Sequence, residues 1–219
     1  FKQKTAYEIP KRDWSSDVCS SDLVRPMFWA TKGGSGPISV DGDSTQFLLC
    51  TYVSPMRAGT PLSLGLCRTI RRSTPESAPT DAKASCHYPN SSRGVAEMQK
   101  RGFTNGVVLD MMGNVAETCS SNVFLAKEGV VATPVPNGTF LAGITRHRTI
   151  QLLRDAGVRV EERTVKTAEL DDADEIFTTG NAGKVQPVNR YESRDLQPGP
   201  IAARAHELYM AYARTQRVV

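Results

Sequence analysis

The run Val123-Phe124-Leu125-Ala126, followed by Lys127-Glu128-Gly129 and then Val130-Val131, sets the strongest limit on the fold. Two apolar strand-like runs separated by so short a polar segment can only pair antiparallel, since a parallel pair needs a crossover of about a dozen residues or more. Two further tight returns repeat the device. Met111-Met112-Gly113-Asn114 turns Val107-Val108-Leu109 back into Val115-Ala116-Glu117, and Gly180-Asn181-Ala182-Gly183 turns a strand expected at Glu175 to Thr179 into Lys184 to Val188. Helix-forming stretches lie between and beyond these hairpins: Ser91 to Arg101 stopping at Gly102, Ile144 to Ala156 stopping at Gly157, and Pro200 to about Ala213 with proline in the first turn. Further strands are expected at Arg25 to Ala30, Gln46 to Val53, Ser63 to Ile70 and Arg159 to Val165, and Thr167 is expected to cap the short turn Ala168 to Asp171. Strands that alternate with helices yet are also joined by hairpins predict a mixed-sheet α+β (mixed α/β) domain rather than a doubly wound one.

The chain has 219 residues, 39% of them hydrophobic, enough for one sizeable core or two small domains. It has no run of about 18 apolar residues and no basic-then-apolar leader, so neither a membrane span nor a secretory signal is expected. A net charge of +4, mild and spread out, gives little support to nucleic-acid binding. The five cysteines form no CxxC pair and the three histidines stand in no metal-ligand spacing. That argues against a disulfide framework or a zinc site and favours a reducing cytoplasm. Residues 1–23 hold neither a strand nor a helix period and read as a non-native, adapter-derived segment.

The stretch Asp81-Ala82-Lys83-Ala84-Ser85-Cys86-His87-Tyr88 sets a lysine among small and aromatic neighbours, in a loop entered through Pro79-Thr80. A lysine amine attacks carbonyls only when burial or neighbouring charge lowers its pKa, and most lysines are solvated surface groups, so the weight must come from elsewhere in the chain. Glu117 lies in a segment expected to be partly buried between strands, where a lone carboxylate costs several kcal/mol unless it meets a cation; the alternative is an edge-strand glutamate in water. Gly143-Ile144-Thr145 at a helix start and the loop Gly180 to Gly183 offer bare backbone amides to an anion. The run Gly180 to Lys184 glances at a nucleotide phosphate loop but fails on spacing, with Thr178 where the first glycine belongs and Val185 where a hydroxyl must reach magnesium. A basic binding module, favoured by Arg71-Arg72, is the non-enzymatic alternative.

Glu117-x-Cys119-x-x-Asn122-Val123-Phe124, then Val131-x-Thr133, then Leu141-x-Gly143-Ile144-x-Arg146 resembles the signature of class IV pyridoxal-phosphate aminotransferases. Residues 24–219 resemble the branched-chain amino acid aminotransferases throughout, including Asp174-Glu175-Ile176-Phe177, Pro187-Val188 and Gly199-Pro200. The resemblance implies fold-type IV, pyridoxal 5′-phosphate as cofactor, and transamination of leucine, isoleucine and valine with 2-oxoglutarate. It implies that Lys83 binds the cofactor covalently and moves the substrate proton, that Tyr88 donates to the cofactor's phenolic oxygen, and that Glu117 keeps the pyridine nitrogen protonated, with Asn122 supporting it. Leu141 would pack on the ring, Ile144, Thr145 and Asn181 would receive the phosphate, and Arg25 with Ala182 would meet the substrate carboxylate. Arg25-Pro26 resembles the end of the branched-chain Tyr-x-Arg-Pro motif, although Leu23 stands at the tyrosine position. D-amino acid transaminases, (R)-amine transaminases and aminodeoxychorismate lyases share the scaffold and are the alternative. On this resemblance 24–54 is the remnant of a small N-terminal domain, 55–61 a linker and 62–219 the large cofactor-binding domain of a cytoplasmic homodimer. As written, without the small domain's phosphate-cup arginine, the chain is expected to bind cofactor weakly and to be inactive.

Overall fold

The structure, a computed structural model, describes residues 22–54, 56 and 59–215. The chain divides into two compact units, Phe1–Met56 and Arg57–Val219. In the first, β1 (Asp22–Ala30) and β2 (Thr45–Val53) pair antiparallel over their whole length, from Asp22 opposite Val53 to Ala30 opposite Thr45. Strand β1 thus begins just before the boundary expected at Val24, and the rest of the segment read as non-native, 1–21, lies outside the described residues. The connection closes on Ser44, whose Oγ accepts from the N–H groups of Thr31 and Lys32 at 3.1 and 3.0 Å.

The second unit is built on β3 (Leu62–Leu66), α1 (Tyr88–Lys100), β4 (Asn105–Leu109), β5 (Val115–Thr118), β6 (Asn122–Lys127), β7 (Val130–Pro134), α2 (Ile144–Asp155), β8 (Val160–Arg163), α3 (Thr167–Asp172), β9 (Glu175–Gly180), β10 (Lys184–Tyr191), β11 (Arg194–Asp195) and α4 (Pro200–Thr215). Its sheet runs β5-β4-β3-β10-β9-β6-β7-β8, with β11 added on β10. Strand β3 is parallel to both β4 and β10, and β7 to β8; the hairpin partners are antiparallel, so the sheet is mixed. The β6–β7 return is made by Glu128 and Gly129, at φ 50° and 79°, the pair of left-handed residues that matches the twist of a two-residue hairpin.

Because side chains alternate across a strand, β6 and β9 each serve two cores. Val123, Leu125 and Ile176 join Leu64, Val107 and Val188 on one face. Phe124 and Phe177, opposite each other in register and stacked at 4.8 Å, join Ile150 and Leu153 of α2 and Ala202 and Ala205 of α4 on the other. The first turn of α4 is held by Glu175, whose carboxylate accepts from the N–H groups of Ile201 and Ala202 at 3.1 and 2.8 Å.

A third cluster lies under α1, where Cys67, Ile70, Met98, Phe103, Val108 and Cys119 meet. The Cys67 and Cys119 sulfurs are 3.6 Å apart and both cysteines are free. They stand at the ends of β3 and β5, on either side of β4, so two strand spacings of about 4.8 Å separate their backbones, too far for a disulfide. The thiols meet against Gly94 of α1, where an added Cβ would lie 2.7 Å from the Cys119 sulfur and 3.4 Å from that of Cys67, and the Cys67 sulfur also lies 2.5 Å from where a Cβ on Gly106 would stand.

Several boundaries differ from the sequence expectation, β10 running on to Tyr191 and β8 ending at Arg163 among them, and three have a local cause. Strand β3 stops at Leu66 rather than Ile70, because the Arg68 and Thr69 N–H groups donate to the Glu97 carboxylate at 2.9 and 3.0 Å instead of to a neighbouring strand. Helix α1 starts at Tyr88 rather than Ser91, with Pro89 in the first turn, where its missing N–H costs nothing. Thr167 is the first residue of α3 rather than its cap; Lys166 occupies the cap in extended conformation, and its N–H donates to Glu169 at 2.8 Å.

Candidate active site

The segment that follows β3, the loop into α1 with that helix's first turns, the end of β5 and the stretch before α2 enclose a cavity of about 830 Å³, lined by Arg72, Lys83, Tyr88, Glu117, Cys119 and Leu141 among others. The Lys83 loop is a chain of short turns: Thr80 donates its N–H to Ala78 O at 2.8 Å, Ala82 to Pro79 O at 3.1 Å, and His87 Nε2 sits 3.0 Å from Pro79 O. A single 3-10 turn, Ser85–His87, then leads directly into α1. Lys83 is exposed on this loop, and its Nζ lies 5.9 Å from the centre of the Tyr88 ring.

Glu117 is brought to the opposite wall by β5, which pairs it with Val108 of β4. It is only 8% exposed, which removes the solvated-edge reading. Its carboxylate is gripped from two sides, by Arg72 Nη2 at 3.1 Å and Asn122 Nδ2 at 3.3 Å. The same Asn122 amide donates to Leu141 O at 2.9 Å, so it joins the carboxylate to the segment that leads into α2. Burial pushes the Glu117 carboxyl up to about 7, against the opposing pull of the Arg72 and Lys83 charges. A carboxyl in that range changes charge near neutrality, the condition in which it can share a proton with a weak base.

Arg72 is the residue that sequence reading passed over as part of a basic spot. It is fixed by Thr118 O at 2.7 Å and Ser91 Oγ at 3.2 Å, and its buried Nε has no partner among the described residues. Only the return of β4 into β5 reveals the pairing, because Arg72 and Glu117 are remote in the chain.

The sequence-predicted residues divide into four groups. Lys83, Tyr88, Glu117 and Leu141 line the one cavity, with Asn122 directly behind Glu117. Ile144 and Thr145 form the first turn of α2, whose extended cap residue Gly143 supplies no side chain, so the leading N–H groups stay open to an anion. Asn181 and Ala182 occupy the β9–β10 turn, exposed, with Asn181 Oδ1 accepting from Lys184 Nζ at 3.0 Å. Arg25 belongs to the other unit, exposed on β1 opposite Cys50. Among the described residues no cluster of His, Cys, Asp and Glu gathers to hold a metal, and no helix is long and apolar enough to cross a membrane.

Comparison with known proteins places this arrangement. A probable branched-chain-amino-acid aminotransferase of Aquifex aeolicus is 37% identical over 148 residues, covering 66% of this chain and 48% of that protein. The branched-chain-amino-acid aminotransferase of Escherichia coli is 28% identical over 197 residues, covering 87% of this chain and 64% of its own length. The chain thus spans about half to two thirds of the relatives it matches. Among solved structures, an aminotransferase from Brucella abortus bound to the co-factor PLP superposes with a TM-score of 0.86 at 45% identity, covering 89% of this chain and 69% of that one. The E. coli branched-chain enzyme superposes with a TM-score of 0.80 at 28% identity, covering 87% and 64%. The family described as amino-transferase class IV matches residues 3–191. On that match, and with the lysine and the buried glutamate facing one cavity, the chain belongs to the class IV aminotransferases.

Proposed function

We propose that this chain carries the catalytic domain of an enzyme that transfers the amino group of branched-chain L-amino acids to 2-oxoglutarate with pyridoxal 5′-phosphate. The observation that carries the reading is the buried Glu117 carboxylate, paired with Arg72 on the wall of the cavity that Lys83 and Tyr88 also line. The donor set fits the cofactor: an exposed amine, a phenol, a desolvated carboxylate with its own cation, an apolar Leu141, and an uncapped helix start. The cavity volume, about 830 Å³, lies within the usual range for small-molecule sites.

When bound, the cofactor withdraws electrons from the substrate's Cα. The chain's own residues do the rest. Glu117 would hold a proton at the ring nitrogen, and Arg72, 3.1 Å away, would offset the carboxylate's charge. Asn122 fixes the carboxylate and, through Leu141 O, the apolar residue on which the ring would rest. Lys83 would hold the cofactor and would move the proton at the substrate's Cα. Tyr88 would donate to the phenolic oxygen, and Ile144, Thr145 and Asn181 would receive the phosphate; Ala182, and separately Arg25 of the first unit, are the residues proposed for the substrate carboxylate. The same reading makes the enzyme a cytoplasmic homodimer acting on amino acids and 2-oxo acids, and sedimentation over a concentration series checks the dimer.

A single-turnover assay tests the function without a second substrate. The chain is loaded with pyridoxal phosphate, given L-leucine, and the 2-oxo acid released is measured. Steady-state turnover with 2-oxoglutarate is not expected of this chain, but at saturating cofactor a single half-reaction is, with slow release from L-leucine, L-isoleucine and L-valine in excess over D-leucine. No 2-oxo acid from any of them, or preference for the D-isomer, would overturn the reading.

A further inference from the structure

Outside the residues proposed to hold the cofactor, two buried polar residues, Asp110 and Thr80, are joined through the exposed Asn137 and the Gly138 that follows it. Asp110, 3% exposed, closes the β4–β5 turn by accepting the N–H groups of Met112 and Asn114 on Oδ1 at 2.9 and 2.8 Å. Its Oδ2 accepts from Asn114 Nδ2 at 3.0 Å and from Asn137 Nδ2 at 3.1 Å. Asn137 uses its other end locally, its Oδ1 accepting from the N–H and hydroxyl of Thr139 at 3.2 and 2.7 Å. The next residue, Gly138, presents its carbonyl to the Thr80 hydroxyl, and Thr80 is 6% exposed. Gly138 sits at φ 83°, and an added Cβ would lie 2.7 Å from Pro75 Cγ, so the two loops are in close contact here.

This chain joins three of the parts that form the cavity. Asp110 anchors the hairpin whose second strand carries Glu117. Asn137 and Thr139 begin the stretch whose Thr139, Phe140 and Leu141 line the cavity, and Thr80, itself in the lining, belongs to the Lys83 loop. We propose that Thr80 and Asn137 are positioning residues, a hydrogen-bonded clamp from Asp110 that fixes where the Lys83 amine stands relative to Leu141 and Glu117. Neither needs to touch the cofactor. The proposal rests on the reading of Lys83 as the cofactor lysine, and it makes a separate statement about the chain without cofactor, that the two loops move together.

The test compares the wild-type chain with Thr80→Val, Thr80→Ser, Asn137→Ala and, as control, Lys83→Ala. Valine keeps the shape of threonine and removes the hydroxyl; serine restores it. In the chain without cofactor, peptide hydrogen exchange should speed up by about tenfold over both 76–84 and 137–141 in Thr80→Val and in Asn137→Ala, the loss expected of one part-buried hydrogen bond, while β6 and β9 stay unchanged. Thr80→Ser should exchange as wild type does. With pyridoxal phosphate, the Lys83-dependent visible band should need about tenfold more cofactor in Thr80→Val and Asn137→Ala and near wild-type amounts in Thr80→Ser. Exchange that changes in only one of the two loops, or Thr80→Ser behaving like Thr80→Val, overturns the clamp. A visible band that is absent, or that survives in Lys83→Ala, defeats the cofactor-lysine reading instead, and the exchange experiment still decides whether the loops are clamped.

Discussion

Replacing Glu117 by glutamine removes a charge while keeping the shape, and its effect on stability should depend on pH with a definite sign. In the folded chain burial pushes the carboxyl to about 7 from its ordinary 4.5, in spite of Arg72 at 3.1 Å. A carboxyl whose folded pKa exceeds its unfolded one binds more protons when folded. Its contribution is therefore fully present below the unfolded value and is lost as pH rises through the folded one. At about 1.4 kcal/mol per pH unit, the interval from 4.5 to about 7 corresponds to roughly 3 kcal/mol. Relaxation and water entry reduce that figure. The wild-type chain should lose roughly 2–3 kcal/mol between about pH 4.5 and about pH 8 that Glu117→Gln does not lose. Urea unfolding of both proteins across that range measures it, with the slope of each transition checked for constancy. A difference between the two that stays flat with pH means the carboxyl titrates alike folded and unfolded. A difference that grows in favour of wild type as pH rises means Arg72 outweighs burial. Either result refutes the reasoning.

Other consequences follow from the same contacts. Arg72→Leu strands a buried carboxylate, and near pH 8 it should destabilise the chain by about 3–5 kcal/mol, with a clearly smaller loss near pH 5, where Glu117 is protonated; urea melts at the two pH values check this. Gly106→Ala places a methyl 2.5 Å from the Cys67 sulfur and 2.6 Å from Met98 Cγ, and thermal or urea denaturation should show a loss of about 1–3 kcal/mol. Glu175→Ala frees the two leading N–H groups of α4 and should cost about 1–2 kcal/mol, with faster hydrogen exchange in the first turn of that helix. Cys67 and Cys119 should remain unlinked on mild oxidation, as non-reducing peptide mapping would show, since β4 separates their backbones.

The hairpins were legible because their signals are local. Glu128-Gly129 must adopt left-handed φ values to return β6 into β7, and glycine at the turn announces that in the sequence. The alternation of Val123 and Leu125 against Phe124 and Ala126 similarly follows from the strand's own period, although nothing in the chain says which helices cover which face. Boundaries were harder wherever a distant side chain takes backbone donors, as Glu97 does at Arg68 and Thr69. Glu117 could be singled out only with the help of a resemblance, because an isolated glutamate in a short strand is compatible with either water or burial. Its cation was invisible for a related reason: Arg72 looks like a surface basic residue until β4 and β5 bring Glu117 beside it. The Asp110–Asn137–Thr80 chain was missed on the same ground, each member being an ordinary turn residue in isolation.

The most direct test is where pyridoxal phosphate attaches. The chain is titrated with low cofactor, reduced with borohydride and mapped by peptide mass, alongside Glu117→Ala. A single preferred adduct on Lys83, saturating well before the other lysines and shifting to higher cofactor concentration in Glu117→Ala, is the predicted result. Label spread evenly over exposed lysines, or a Lys83 adduct indifferent to the loss of Glu117, would contradict the claim that the amine and the carboxylate serve one ring.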